Sequence, residues 1–575
     1  MNITFKDLKK YAQKEIDNNQ DIYKLIVMGD CATQFLSVAI NGLSKINKIN
    51  IKVIETDYDQ ISLNVYDDNS VIYNKEVQGV FIVMCTEKLC DKFYRTDIEN
   101  RINFADTIME EILRYWNKII NKSKINIFQT NFAIINDNVF GSYGVKLEQS
   151  FSYQLRKLNF LISQNASKYK ELYIVDVDDV KKSLGENDFK EDKMYYYAKV
   201  AFSQKAVCDI SNKIVELIKV TMGHFNKCLV LDLDNTLWGG VIGDDGINNI
   251  ELGEIKNGPV FVALQKWIKE LRNRGIILAV CSKNNDEVAK EPFLKHPDMI
   301  LKLDDISIFV ANWEDKVSNI KYIQKTLNIG MDSIVFIDDN KFEREAVKFS
   351  IPQVTVPDLP EDPAQYLSFL QSLNLFETVN YSKEDTNRTN MYRTLAIQNK
   401  YKESFTDYND YLKSLEMVCS FNEFDEFYNA RISQLTQRSN QFNVRTIRYT
   451  EGDIEKIRKN SEYITCYFVL KDKFINHGLI SVVILEKRGE TLFIDTWLMS
   501  CRVLKRGMEE FCVNEMYNIA KKLKVKKIIG EYIQTEKNSM VKSIYSDMGF
   551  DRIGDNMYEM NIEDFTNKKT YITGE

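Results

Sequence analysis

KCLVLDLDNTLWGGVIGDDGINNIELG, residues 227 to 253, is the stretch from which the rest of the chain is read. It opens on Cys228–Leu231, an apolar run with the length of a buried parallel strand. The run passes directly into Asp232-Leu233-Asp234-Asn235-Thr236. Alternate side chains on a strand share a face, so Asp232 and Asp234 are expected to point the same way. Carboxylates crowded at a strand end repel each other, and a divalent cation that favours hard oxygen ligands, Mg²⁺, relieves the repulsion. The carboxyl edge of a parallel sheet is also where α/β proteins bind ligands.

Three later stretches extend the pattern. IILAVC (Ile276–Cys281) reads as a second buried strand ending in Ser282-Lys283-Asn284. Lys316 heads a helical pattern in ANWEDKVSNI. SIVFI (Ser333–Ile337) reads as a third strand, ending in Asp338-Asp339-Asn340. Aspartates, serine, lysine and a second aspartate pair, each at an element end, form a set suited to phosphoryl transfer. In that set Asp232 is the nucleophile and Asp234 the acid/base. Ser282 and Lys316 hold phosphoryl oxygens, joined by Thr236 and Asn284. Asp232, Asp234, Asp338 and Asp339 supply the metal site. The plainer reading is a Rossmann-like domain with acidic turns and no such chemistry.

These four motifs resemble those of the haloacid dehalogenase (HAD) superfamily. LDLDNTLWGGVIGDDG, LAVCSKN, NWEDK and VFIDDNKFERE further resemble the FkbH-like branch, densely from about Lys227 to Pro357. The resemblance implies an enzyme that takes a glyceryl unit from 1,3-bisphosphoglycerate, a phosphorylated three-carbon acyl donor. It implies removal of phosphate and loading of the unit as a thioester on an acyl carrier protein. Two other functions stay open: a HAD-type phosphatase acting on a sugar phosphate or phosphoprotein, and a non-catalytic scaffold that binds a carrier protein.

The chain has 575 residues, which predicts about three or four domains. Its 44% hydrophobic and 28% charged residues are those of a soluble globular protein. A formal net charge of -7 argues against nucleic-acid binding. No apolar run is long enough for a bilayer, and the polar first residues have no signal-peptide core, so a cytoplasmic protein is expected. The ten cysteines show no CxxC pairing and there are only three histidines, which argues against a zinc cluster.

The predicted fold class is α/β, in three domains. Residues 1–190 carry five strand candidates alternating with helical patterns, the sign of a parallel flavodoxin-like sheet. Gly29-Asp30-Cys31 after the first strand resembles the Gly-Asp-Ser block of SGNH-type hydrolases, with cysteine in place of serine. Asn131 echoes their oxyanion asparagine, but Asp192-Lys193-Met194-Tyr195 has tyrosine where a histidine base would stand. A degenerate, non-catalytic hydrolase-like domain is expected, with Cys31 as core or as a thiol activated by a helix N-terminus. Residues 191–226 form a helical connector, whose Ser203–Val220 pattern is expected to pack on the HAD sheet.

Residues 227–360 form the HAD core, Rossmann-like and capless. The short segment between Thr236 and Ser282, and the 33 residues between Ser282 and Lys316, leave no room for a large cap. An open site suits a macromolecular substrate, which itself excludes water. Trp238-Gly239-Gly240 with Gly243 and Gly246 reads as a tight flap beside it. Cys281, next to Ser282, has two readings: a buried core thiol, or a catalytic nucleophile that carries the acyl group as a thioester.

Residues 361–418 form a linker region entered through PDLPEDP (Pro357–Pro363). Residues 419–575 resemble a GNAT-like acyltransferase of mixed α/β type. That resemblance implies a coenzyme A or phosphopantetheine arm held by Arg502, Arg506, Gly507, Asn538 and Tyr545. Lys505 stands where a glycine is usual. Arg438-Ser439-Asn440-Gln441-Phe442-Asn443 resembles a stretch typical of FkbH-like proteins, with no role that its chemistry assigns.

Overall fold

The computed structural model describes residues 3–14, 22–379, 392, 394, 398, 401–402, 405–535 and 537–575. Part of the 361–418 linker region therefore lies outside the described residues. The chain divides into two compact units, Met1–Thr221 and Met222–Glu575. No helix among the described residues is long and apolar enough to cross a membrane.

In the first unit, β1 (Ile22–Gly29), β2 (Asn50–Glu55), β3 (Gly79–Val83), β4 (Asn126–Thr130) and β5 (Leu172–Val175) form one parallel sheet in the order β2-β1-β3-β4-β5. Helices Phe104–Lys122 and Phe151–Ala166 turn Ile112, Trp116, Leu155 and Leu158 into its core. A parallel sheet needs both faces covered, and the periodic helices supply that cover. Helix Gln204–Thr221 departs from expectation. It packs against helix Gln34–Ile46 of this same unit, burying Ala206, Ile210 and Ile214.

The second unit starts with a smaller parallel sheet: β6 (Cys228–Leu231), β7 (Ile277–Ser282), β8 (Ile306–Ala311) and β9 (Ile334–Ile337), ordered β8-β7-β6-β9. The pleat is regular. Cys228, Val230, Ile277, Ala279 and Cys281 join one apolar cluster, while Leu229, Leu231, Leu278 and Val280 join another. The motif-bearing strands β6, β7 and β9 are thus buried on both faces, and their carboxyl ends share one edge.

The C-terminal sheet is mixed, in the order β16-β17-β15-β14-β13-β12-β10-β18. Its long members are β12 (Tyr463–Lys471), β13 (Asn476–Arg488) and β14 (Thr491–Met499), followed by β15 (Lys527–Glu531). The other members are β10 (Val418–Asn422), β16 (Asp551–Arg552), β17 (Met557–Asn561) and β18 (Thr573–Gly574). β14 pairs with β15 in parallel only from Thr491 to Ile494. Beyond that point a short strand, β11 (Phe442–Asn443), pairs with Met499 and Leu498 instead. Val444 N donates to Trp497 O (3.2 Å), and Ile533 N donates to Val444 O (2.9 Å). The chain therefore fills the gap between these two strands with its own backbone.

Candidate active site

Asp232 follows β6 directly, and its backbone N–H donates to Ile337 O of β9 (3.0 Å). That bond brings the ends of β6 and β9 together, and with them Asp232, Asp338 and Asp339. One oxygen from each of the three carboxylates lies within 4.8 Å of the others. Lys316 stands at the first turn of helix Lys316–Leu327, which Asp315 caps by accepting from Ser318 N (2.8 Å). Its ammonium reaches Asp232 Oδ1 at 2.8 Å and Asp338 Oδ2 at 2.5 Å.

These groups are buried: Asp232 is 6% exposed, Lys316 4% and Asp338 fully enclosed. Burial raises the Asp232 carboxyl above its ordinary value although Lys316 opposes it. Burial and the like charge of Asp232 push Asp338 up to about 6. Burial and Asp338 raise Asp339. Burial works against the Lys316 charge, but Asp232 and Asp338 overcome it and hold the ammonium above its usual range. Three carboxylates against one ammonium leave two negative charges, the charge that one divalent cation neutralises. The all-oxygen donor set fits Mg²⁺. Asp232, Asp338 and Asp339 would hold it.

Asp234 is placed differently from the expectation. Its carboxylate is not in the converging set. Oδ1 accepts from Trp238 Nε1 (2.9 Å) and Ile242 N (3.0 Å), and Oδ2 accepts from Asn284 Nδ2 (3.0 Å). These donors hold it as a half-buried acid whose pKa burial raises, which suits an acid/base, and they turn its side chain away from the converging carboxylates. Asn284 spends its amide on Asp234, so its role is to orient that group. The Thr236 hydroxyl accepts from Asp339 N (3.2 Å) and ties the two acidic loops together. Both residues were expected to bind phosphate; the Asn284 amide is engaged at both atoms, whereas the Thr236 hydroxyl accepts here and keeps its O–H to donate. Ser282 is buried at the end of β7, and its hydroxyl makes no hydrogen bond to a described protein group, so it stays available for a phosphoryl oxygen.

The flap is a hairpin in which Gly239 pairs with Glu251. Gly240 takes φ +90°, and a Cβ there would meet Asp245 Oδ2 at 2.5 Å. Val241 N donates to that same oxygen, and Gly240 N donates to Asn235 Oδ1 (2.9 Å). Trp238 is fully buried beneath the flap and carries the donor to Asp234.

Arg344 is a participant that sequence reasoning missed. Its guanidinium donates to the carbonyls of Asp338 (2.9 Å) and Asp339 (2.6 Å) and fixes the acidic loop. The signal was present in its spacing: Asn340 caps helix Lys341–Ser350, so a residue one turn in lies over that loop.

Cys281 does not fit a carrier role. It continues the regular pleat into the cluster with Val310, Ile320 and Phe336, and its sulfur lies 3.9 Å from Lys316 O. Burial pushes its thiol up to about 12. A thiol so enclosed and protonated at neutral pH is not an open nucleophile, so the structure assigns it to the core.

Within the GNAT-like set, Asn538, Tyr545 and Arg506 have polar atoms held by the protein itself. Asn538 is fully buried, donates to Asn443 O (3.0 Å) and Ile533 O (2.8 Å), and accepts from Thr535 N (2.7 Å). Tyr545 is fully buried beside Trp497, Phe550 and Tyr558, its hydroxyl donating to Glu531 O. Arg506 is spent on Asp472 (3.2 Å) and Gln398 (2.9 Å). Gly507 takes φ +86° as the cap of helix Met508–Lys522. Arg502 donates to Ser500 Oγ (3.1 Å). The edge of β14 that an extended arm would use is already paired with β11.

In the first unit, Asp30, Cys31 and Cys85 converge at the ends of β1 and β3, again within 4.8 Å. Asp30 accepts from Cys85 N (2.8 Å), and burial pushes it up to about 7. The hydrogen bond with Cys31 and burial raise the Cys85 thiol well above its usual range. Asn131 donates to Asp176 (2.7 Å) and accepts from Val177 N (2.7 Å), so its amide fixes a helix start. The three histidines of the chain, His224, His296 and His477, all lie outside this unit.

Residues 24–219 match the family described as FkbH, N-terminal domain. The chain is also similar to a solved structure, the N-terminal part of the protein BF1531 from Bacteroides fragilis containing phosphatase domain complexed with Mg. Identity is 41%, the match covers 66% of this chain and 100% of that one, and the TM-score is 0.63. This chain belongs to the family of BF1531. The motifs and the match put it among HAD-type phosphatases and transferases. Weaker similarity links it to the ribosomal-protein-S18-alanine N-acetyltransferase from Escherichia coli (11% identity, 25% of this chain and 94% of that chain, TM-score 0.21). A GNAT-family acetyltransferase from Staphylococcus aureus Mu50 gives 13% identity over 25% of this chain and 99% of that chain, with TM-score 0.21. No curated protein matches the chain.

Proposed function

We propose that the chain is a Mg²⁺-dependent HAD-type enzyme that takes a glyceryl unit from 1,3-bisphosphoglycerate with dephosphorylation and passes it to an acyl carrier protein. The observation that carries the reading is the convergence of Asp232, Asp338, Asp339 and Lys316 with a residual charge of two. The Mg²⁺ in the BF1531 structure supports it. When bound, the metal supplies charge neutralisation between carboxylates and phosphoryl oxygens.

The protein's own groups account for the remaining steps. Asp232 attacks the phosphorus of the donor's phosphate ester, leaving the acyl phosphate intact, while the bond to the ester oxygen breaks. Asp234, held half-buried by Trp238 and Asn284, gives that oxygen a proton and later takes one from the water that hydrolyses the phosphoaspartate. Lys316 and Ser282 hold the non-bridging oxygens. With Cys281 in the core, acyl transfer proceeds by direct attack of the carrier thiol on the acyl phosphate carbonyl: the C–S bond forms, the C–O bond to phosphate breaks, and the thiol proton leaves with the released phosphate.

A second reading, a phosphatase without acyl transfer, is favoured by that same burial of Cys281 and by the occupied β14 edge. Intact-mass spectrometry of chain and candidate carriers after incubation with 1,3-bisphosphoglycerate and Mg²⁺ separates the two. Glyceryl transfer predicts a glyceryl adduct on a carrier, and phosphate release with no adduct on any carrier supports the phosphatase.

A further inference from the structure

Arg438-Ser439-Asn440-Gln441-Phe442, the stretch without a role in the sequence, lines a cavity of about 190 Å³ within the second unit. The opposite wall is the start of the phosphatase-like core: Lys227 before β6, and Asn328, Ile329, Gly330, Asp332 and Ser333 before β9. Met499, Ser500, Cys501 and Arg502, where β14 ends, complete it with Arg431 and Lys537. The walls are tied together. Asn440 Nδ2 donates to Gly223 O (3.0 Å), Lys227 Nζ to Arg438 O (3.3 Å), and Asn328 Nδ2 to Cys501 O (2.6 Å).

The lining is cationic. Among the described residues it holds Lys227, Arg431, Arg438, Arg502 and Lys537 against a single carboxylate, Asp332, which is already paired with Lys537. Arg431 and Arg502 are each only 8% exposed. Ser439 and Ser500 bring hydroxyls, and Gln441 brings a buried amide oxygen that accepts no hydrogen bond from a described group. Guanidinium forks, hydroxyls and an amide acceptor around one small cavity match a phosphate group carried on a polar, donor-bearing ligand.

The cavity is not the carboxylate site. Lys227 and Ser333 precede strands β6 and β9, whereas Asp232 and Asp338 follow them. A four-residue strand separates the two edges by about 13 Å. We propose that this cavity is a second, metal-independent site that binds the phosphate of a small hydroxylated or amide-bearing ligand. The source is either a free phosphorylated metabolite or the phosphopantetheine arm of a carrier.

Calorimetric titration of the full chain in EDTA and low salt tests this, with inorganic phosphate, glycerol 3-phosphate and 4′-phosphopantetheine as probes. EDTA silences the metal-dependent site. At least one probe is expected to bind. Arg438→Gln and Lys227→Gln, both at half-buried positions, should each weaken it roughly tenfold, the loss of about one charge-assisted hydrogen bond. Asp232→Asn should leave it unchanged. Tightest binding by glycerol 3-phosphate identifies a free metabolite, and tightest binding by 4′-phosphopantetheine identifies the carrier arm. Failure of all three probes to bind overturns the proposal. So does binding that survives both substitutions with unchanged circular dichroism, or binding that disappears in Asp232→Asn.

Discussion

The two parallel sheets of this chain place an aspartate at the same point, just beyond the first strand, and surround it with opposite chemistry. After β6, Asp232 meets two further carboxylates and a buried lysine. After β1, Asp30 meets two thiols and a backbone N–H. The architecture offers the same edge twice, and the charges gathered there decide what that edge can do. A net charge of two invites a metal and a phosphoryl group. A lone buried carboxyl takes up a proton instead, which is why Asp30 is pushed up to about 7.

The largest expected effect follows from removing the nucleophile. Asp232→Asn should lower phosphate release by on the order of a thousandfold or more while leaving the melting temperature within a few degrees of the parent. A steady-state phosphate assay beside a thermal melt checks both. Lys316→Met leaves three buried carboxylates without their cation. The metal-free protein should lose about 3–5 kcal/mol of stability, partly regained on adding Mg²⁺. Chemical denaturation with and without Mg²⁺ reads this directly. Equal stabilities for the variant and its parent would show that the charge balance is misjudged.

Asp30 gives the next effect and sharpens the contrast. Its folded pKa lies above the unfolded value, so the neutral form is favoured in the folded state. Stability from this group is full below about pH 4 and falls as pH rises toward 7, beyond which the penalty is constant. Asp30→Asn should flatten that fall and raise stability at pH 8 by about 1–4 kcal/mol. Melting curves at pH 4, 6 and 8 test the slope. A variant that loses stability at pH 8 would mean that the ionised carboxylate is needed there.

Much of this was legible in the sequence because it is local. The strands around Cys228–Leu231, Ile277–Ser282 and Ile334–Ile337 announce themselves as apolar runs, and their terminal residues carry the chemistry. Side-chain direction was not legible. Asp232 and Asp234 sit two apart, yet the strand has already ended at Leu231, so Asp234 turns to Trp238 and Asn284 rather than to the metal-ligand set. Cys281, open in the sequence between core thiol and acyl carrier, is decided by the opposite circumstance: the strand stays regular through Ser282, and the pleat commits the sulfur to the core. The fates of Asn538, Tyr545 and Arg506 depend on partners far along the chain, as when β11 enters the gap beside β14. No local pattern encodes that insertion.

The smallest effects concern the cysteines. Cys281→Ala should cost about 1–2 kcal/mol through the cavity it leaves, with phosphate release per folded molecule unchanged. Cys31→Ala should change phosphate release by less than about twofold, since the first unit has no histidine to activate that thiol. Parallel assays normalised to folded fraction compare the two. A severe loss from either substitution in a folded protein would move the chemistry away from the carboxylate edge.

During turnover Asp232 itself becomes phosphorylated at that edge. Acid quenching during turnover, followed by peptide mapping for the mass of one phosphoryl group, tests it most directly. The adduct is expected on the peptide containing Asp232 in the parent chain and absent in Asp232→Asn. Steady turnover with the adduct on another residue, or undiminished turnover in Asp232→Asn, would contradict it.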